Sequence, residues 1–206
     1  MAPKTKAAIS GFGRVLRWKD YRPLNEAPPD APFDAATFTD IKYRTKVVHF
    51  PKGEWKLKHL SVFVIFNEKK AWVLKGKEAA ELLRHEQLHY MISSIAARQL
   101  HDALANLTGQ ANQDPTDTCD EISARIIGRR DHPGKPDVEG LLDFVHQRYD
   151  EALLTGTKHG INRHYQILWD HKITKIHGDS HGKLEDLYFF LQPGDYEIDT
   201  RPTRTA

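Results

Sequence analysis

An α+β fold is predicted for this chain, with an N-terminal β-hairpin, part of a small antiparallel sheet, packed on one long helix and two further long helices. Three observations predict it. Two segments of strand-like alternation, Ile41 to Phe50 and Trp55 to Phe66, flank the turn Pro51-Lys52-Gly53. No glycine or proline interrupts residues 77–108, which Gly76 and Gly109 bracket. Two later stretches, about 138–154 and 162–176, repeat apolar residues at helical spacing. At 206 residues the chain suits a single domain with a proper core.

Residues 1–13 are small, basic and glycine-bearing, and read as a flexible arm. In Leu16-Arg17-Trp18-Lys19-Asp20-Tyr21, Leu16 and Trp18 fall on one side of a short extended segment. Pro23 to Pro32 holds four prolines and predicts an ordered surface loop. The first hairpin strand alternates Ile41, Tyr43, Thr45 and Val47 against Lys42, Arg44 and Lys46; the second ends in the apolar run Val62 to Phe66. The long helix carries the stripe Leu82, His85, His89, Ile92, Ala96, Leu100, which is its inward face. A short helix is expected near Asp120 to Ile127. The helix over 138–154 buries Leu141, Val145, Tyr149 and Ala152, and the one over 162–176 buries Tyr165, Leu168, Trp169 and Ile173. Leu187 to Leu191 reads as a late strand, and residues 199–206 as a flexible tail, which leaves 14–198 as the domain. Trp18, Trp55, Trp72 and Trp169 are assigned to the core, and Arg98 to a structural ion pair.

Composition narrows the function. Hydrophobic residues make 39% and charged residues 28%, values of a globular domain in water. Lys and Arg total 30 against 28 Asp and Glu, and the basic residues read as scattered, so no nucleic-acid partner is expected. One cysteine, Cys119, excludes an intrachain disulfide and a multi-thiolate metal knot. No run approaches the roughly 18 apolar residues of a membrane span. The N-terminal residues show no apolar signal region, which predicts a cytoplasmic protein or export by a signal-independent route.

The informative motif is His85-Glu86-Gln87-Leu88-His89, an H-E-x-x-H sequence inside the long helix. Histidines four apart on a helix stand one turn above each other, about 5–6 Å between Cβ atoms. Both rings can then reach one ion, since zinc–nitrogen bonds are about 2.0–2.1 Å long. With 12 histidines the motif would arise in roughly 4% of scrambled chains, so position matters more than the match. Both rings lie on the inward face, where two imidazoles and a carboxylate are costly to bury without a cation. The fold is therefore expected to be zincin-like, with one Zn²⁺ per chain. A third ligand should come from downstream: His159, in a loop where Gly160 permits close backbone approach, or Asp150, Glu121 or His164. His177 and His181, also four apart, are separated by Gly178 and read as solvated loop residues.

Leu16-x-Trp18-x-Asp20-Tyr21, Leu82-Leu83-Arg84-His85-Glu86-Gln87-x-His89, Ala97-Arg98, Tyr149-Asp150, Thr157-x-His159-Gly160 and Gln166-x-x-Trp169 follow one another in that order. The set resembles a bacterial family of predicted secreted zinc-dependent proteases, catalogued as a domain of unknown function. The similarity spans roughly residues 14–176. It differs at Tyr21, where the family commonly has another aromatic, and at Leu88, where it often has glycine. The resemblance implies His159 as the third ligand and a secreted or periplasmic location.

The resulting expectation is a zinc-dependent hydrolase, a metallopeptidase acting on a peptide or protein substrate. His85, His89 and His159 hold the metal, and Glu86 is the general base toward a metal-bound water. Tyr149 and Tyr165 are candidate donors to the oxyanion. The strand over 61–66 is a candidate edge for pairing with an extended peptide. The alternative is a non-catalytic, zinc-stabilised binding domain.

Overall fold

A computed structural model describes residues 9–31, 33–129, 136–151 and 155–190. Its elements, in chain order, are β1 (Ile9–Ser10), a 3-10 turn (Trp18–Asp20), β2 (Arg22–Leu24), β3 (Ala35–Ala36), β4 (Thr39–His49), β5 (Trp55–Phe66), β6 (Trp72–Leu74), α1 (Ala80–Ala105), β7 (Thr108–Gly109), α2 (Pro115–Ile127), α3 (Leu141–Glu151), α4 (Arg163–Gly178) and α5 (Glu185–Tyr188). The chain is thus mixed α+β, with two small mixed sheets.

The expected hairpin is present, and β4 pairs antiparallel with β5 along nearly its whole length. Its register contains a feature that side-chain parity demands. Trp55 and Leu57 are buried at odd positions of β5, whereas Val62, Val64 and Phe66 are buried at even ones. A regular strand cannot turn both sets inward, because its side chains alternate. The structure inserts a bulge: Arg44 pairs with Ser61 but Lys46 with Lys58, so β5 carries the extra residue. His59 takes up the kink with φ 55°, and Thr45 Oγ1 donates to Lys58 O at 3.1 Å.

β5 is the interior strand of its sheet. β4 lies on one side, while β1 and β7 take the other. The 61–66 segment is therefore not an edge: Val62 and Phe63 also pair with Ile9 and Ser10. Among the described residues β4 pairs on one side only and leaves its other edge open. The same pairing fixes the described end of the expected arm, and Tyr90 of α1 secures it by donating to Gly11 O at 2.8 Å. β7 brings Gly109 against the Trp55 indole so closely that an added Cβ would sit 2.2 Å from the ring, which only glycine permits.

The helix expected over 77–108 forms as α1, and it runs through the middle of the molecule. Ile92 through Arg98 are all buried, which requires cover on every side, here from β5, α4, α2 and α3. Ser93 and Ser94 satisfy their hydroxyls by donating one turn back to His89 O and Tyr90 O. Among the described residues Arg98 forms no ion pair of the expected kind; its guanidinium donates to the carbonyls of Ile176, His177 and Gly182 and so caps the end of α4. Gln87 lies beside the two histidines yet serves the fold: its amide accepts from Leu16 N and donates to Arg14 O, tying the N-terminal segment to α1.

Elsewhere the elements shift. Residues 16–21 hold a 3-10 turn instead of an extended segment, because Asp20 accepts from Arg17 N. The proline-rich loop begins as β2, and Pro23 fits there because β2 is an edge strand with no second partner needing its N–H. α2 starts earlier than expected, at Pro115, since Asp114 accepts from Thr116 N and Asp117 N, with proline at the first helical position. The expected late strand is the short helix α5, which buries Leu184 and Leu187. α4 extends to Gly178, so His177 is a helical residue stacked on Phe12 and not a solvated loop residue. The expectations for residues 1–8, 152–154 and 191–206 fall outside the described residues.

Candidate metal centre

α1 presents His85, Glu86 and His89, α3 presents His146 and Asp150, and the loop before α4 presents His159. His85 Nε2 and His89 Nε2 stand 3.2 Å apart. Asp150 Oδ1 lies 3.2 Å from the first, 3.1 Å from the second and 3.7 Å from His159 Nδ1. Donor atoms of His85, Asp150 and His159 all lie within 4.8 Å of one another, a group that could hold a metal ion. Tetrahedral zinc with bonds near 2.05 Å requires ligand–ligand separations of about 3.3–3.4 Å, and the observed spacings bracket that value.

The hydrogen bonds behind the donors fix which nitrogen faces inward. His85 Nδ1 is 3.0 Å from Gln166 Oε1, and Gln166 Nε2 donates to Tyr149 OH at 2.8 Å. A carbonyl oxygen only accepts, so His85 carries its proton on Nδ1 and turns a lone pair toward Asp150. His89 Nδ1 lies 2.8 Å from His146 Nδ1, while His146 Nε2 lies 3.4 Å from Ser93 Oγ. When His89 donates to His146, its Nε2 also offers a lone pair. Two imidazole lone pairs and a carboxylate oxygen then converge on one point, an arrangement that a cation relieves. Tyr149 is fully buried and stacks on the His85 ring, with centroids 4.8 Å apart, holding its plane.

Local backbone geometry aims the remaining donor. Lys158, His159 and Gly160 all have positive φ, at 49°, 53° and 82°. For the two non-glycine residues this left-handed conformation costs on the order of 1–2 kcal/mol each. The turn is held by Thr157 N donating to Tyr149 O and Lys158 N to Asp150 O, so His159 and Asp150 are positioned by one loop–helix junction. Phe33 stacks on the His159 ring at 4.5 Å.

Electrostatics follow the geometry. The lone-pair arrangement is the one a cation would require; with the imidazoles protonated on Nε2 instead, burial raises the Asp150 carboxyl, but the charge of His89 and hydrogen bonds from His85 and His89 outweigh it and hold the group well below the usual carboxylate range. Burial opposes charge on His89, and Asp150 overcomes it, so the His89 pKa rises. His146 is pushed down to about 3 by burial and by repulsion from His89, and is therefore a neutral partner at physiological pH.

A cleft of about 760 Å³ opens beside these groups. The segment from Ala35 to Lys42 forms one wall, Leu142, Asp143 and His146 form another, and Glu86, His89, Asp150 and His159 lie along it. Glu86 is buried, and its Oε2 has no hydrogen-bond partner among the described residues. Tyr149 and Tyr165 do not line the cleft, and the Tyr149 hydroxyl is engaged by Gln166, so the structure does not bring either to the position expected of an oxyanion donor. Glu121 and His164 are exposed on α2 and α4 and are not among the grouped donors. Asp150 stands with His85 and His159 in the grouped donors, while His89, expected as a ligand, lies outside that group with its Nε2 3.2 Å from His85 Nε2 and 3.1 Å from Asp150 Oδ1. His146 was not anticipated. Its signal was available, since His146 and Asp150 are four apart on one helix, as His85 and His89 are.

No protein-family model matches the chain, and neither a curated protein nor a solved structure matches it.

Proposed function

We propose that this protein is a zinc-dependent hydrolase, a metallopeptidase with Glu86 as general base. One observation carries the reading: a buried carboxylate with an unpartnered oxygen lies in a cleft next to histidine and aspartate donors spaced for one ion. The nitrogen-rich donor set favours zinc over calcium or magnesium, which select oxygen. His85, His89, Asp150 and His159 would hold it. When bound, zinc would polarise a carbonyl and lower the pKa of water.

The chain's own groups supply the rest. Glu86 takes a proton from the attacking water and delivers it to the departing amine. Gln166 and His146 keep His85 and His89 in the tautomers that face the centre. The free edge of β4 offers backbone groups to an extended peptide, aligning it along the cleft wall. Glu86→Gln tests the assignment. Hydrolysis of a peptide substrate should fall by something like 10²–10⁴-fold while zinc content stays at one equivalent. Unchanged turnover would remove Glu86 from the chemistry.

A second reading is a zinc-stabilised binding domain without catalysis. It is favoured by the number of donors, because four protein ligands can saturate zinc. Cobalt substitution separates the two. A shift of the visible spectrum on adding a small hydroxamate means an open coordination position and supports the hydrolase. An unresponsive spectrum supports the structural role.

A further inference from the structure

The β4–β5 hairpin turns its outer face to solvent, and that face is basic. Lys42, Arg44 and Lys46 alternate along β4, Lys56 and Lys58 occupy outer positions of β5, and all five are exposed. The expectation that basic residues are scattered is thus corrected by pairing: two strands bring five cations onto one surface of a chain whose net charge is only +2. Among the described residues none of the five forms a salt bridge. Register sets Lys46 directly opposite Lys58, a like-charge pair that weakens a sheet. Arg44 lies over the Phe63 ring at 5.5 Å, which keeps its guanidinium against the surface. Two carboxylates bound the face at its ends, Asp40, to which Asn67 donates, and the exposed Glu54 before β5.

This row of charge leads into the cleft. Lys42 belongs both to the basic face and to the cleft wall, and β4 has an open edge beside it. We propose, building on the peptidase reading, that the face is an exosite selecting acidic polypeptide substrates. A segment of substrate beyond the scissile bond pairs along β4 and sets carboxylates from alternate residues against Lys42, Arg44 and Lys46. The match is geometric as well as electrostatic. Alternate residues of any strand are about 6.6–6.8 Å apart, so the cations and the side chains of a paired strand keep step. Surface pairs of this kind are individually weak, and a row of them acts through summed charge and a faster encounter. Continuity with the cleft favours a peptide over a nucleic acid or an anionic membrane, either of which would use the face without regard to the site beside it.

The test is binding, read on the zinc-loaded full chain carrying Glu86→Gln. Fluorescence anisotropy compares a labelled peptide bearing glutamates at alternate positions next to an apolar pair with the same peptide carrying glutamines. The acidic peptide should bind about tenfold more tightly or better, and the advantage should vanish at high salt. It should also vanish when Arg44, Lys46, Lys56 and Lys58 are all changed to Gln, but not when Lys19, Lys75 and Lys175 are. Circular dichroism confirms that both variants fold. Equal binding of the two peptides overturns the proposal. Tighter binding of single-stranded DNA or of phosphatidylserine vesicles than of the acidic peptide overturns it too. The peptidase reading fails separately, by lack of turnover in the unmutated chain.

Discussion

Replacing Asp150 with Asn changes almost no volume and removes one charge from the point where every donor meets. Asp150 Oδ1 is 3.1 Å from His89, 3.2 Å from His85 and 3.7 Å from His159, so the variant loses the only anion among those four donors. Losing a group that hydrogen-bonds a metal ligand typically costs 10–100-fold in affinity, and loss of a direct carboxylate ligand should reach at least the upper end, about a hundredfold. That factor is about 2.7 kcal/mol of zinc-linked stabilisation at saturating metal. In a chain of this size 1 kcal/mol moves the melting temperature by roughly 2–4 °C, so the zinc-induced rise should shrink by about 5–11 °C. Thermal melts of wild type and Asp150→Asn, each with and without zinc, measure it, and chelator competition gives the affinities independently. An identical zinc-induced shift in both proteins would refute the placement of Asp150 at the metal.

Two further predictions test the surroundings. Gln166→Leu removes the acceptor that sets the His85 tautomer and should weaken zinc binding about 10–100-fold while leaving the secondary structure intact; isotope-labelled imidazole NMR should show His85 no longer confined to the Nδ1–H form. Lys46→Glu replaces a cross-strand repulsion opposite Lys58 with an attraction and should raise unfolding free energy by about 0.2–1 kcal/mol in urea titrations. A destabilised variant would contradict the register.

The sequence exposed the features that depend on near neighbours. α1 was legible because no glycine or proline breaks it, and its inward histidines because a helix fixes which residues share a face. The hairpin followed from alternation around Pro51-Lys52-Gly53. What escaped depended on contacts distant in sequence or on small departures from regularity. The β5 bulge was encoded in the parity change between Leu57 and Val62, but it becomes visible only when burial is counted along both halves. Asp150 was one of several possible ligands until α3 was packed against α1. His146 carries no motif of its own and gains its role from the His89 ring across that same packing. Leu187 to Phe190 has no period long enough to separate one helical turn from a strand, and the decision falls to the pocket that buries Leu187. The basic face needed the pairing of two strands that sequence treats separately.

Diffraction from crystals soaked in zinc, recorded on both sides of the zinc absorption edge, would locate the metal. One anomalous peak per chain is expected, bonded to His85 and His89 through Nε2, to Asp150 through Oδ1 and to His159 through Nδ1. No peak there at saturating zinc, or a peak only on surface histidines, would contradict this placement.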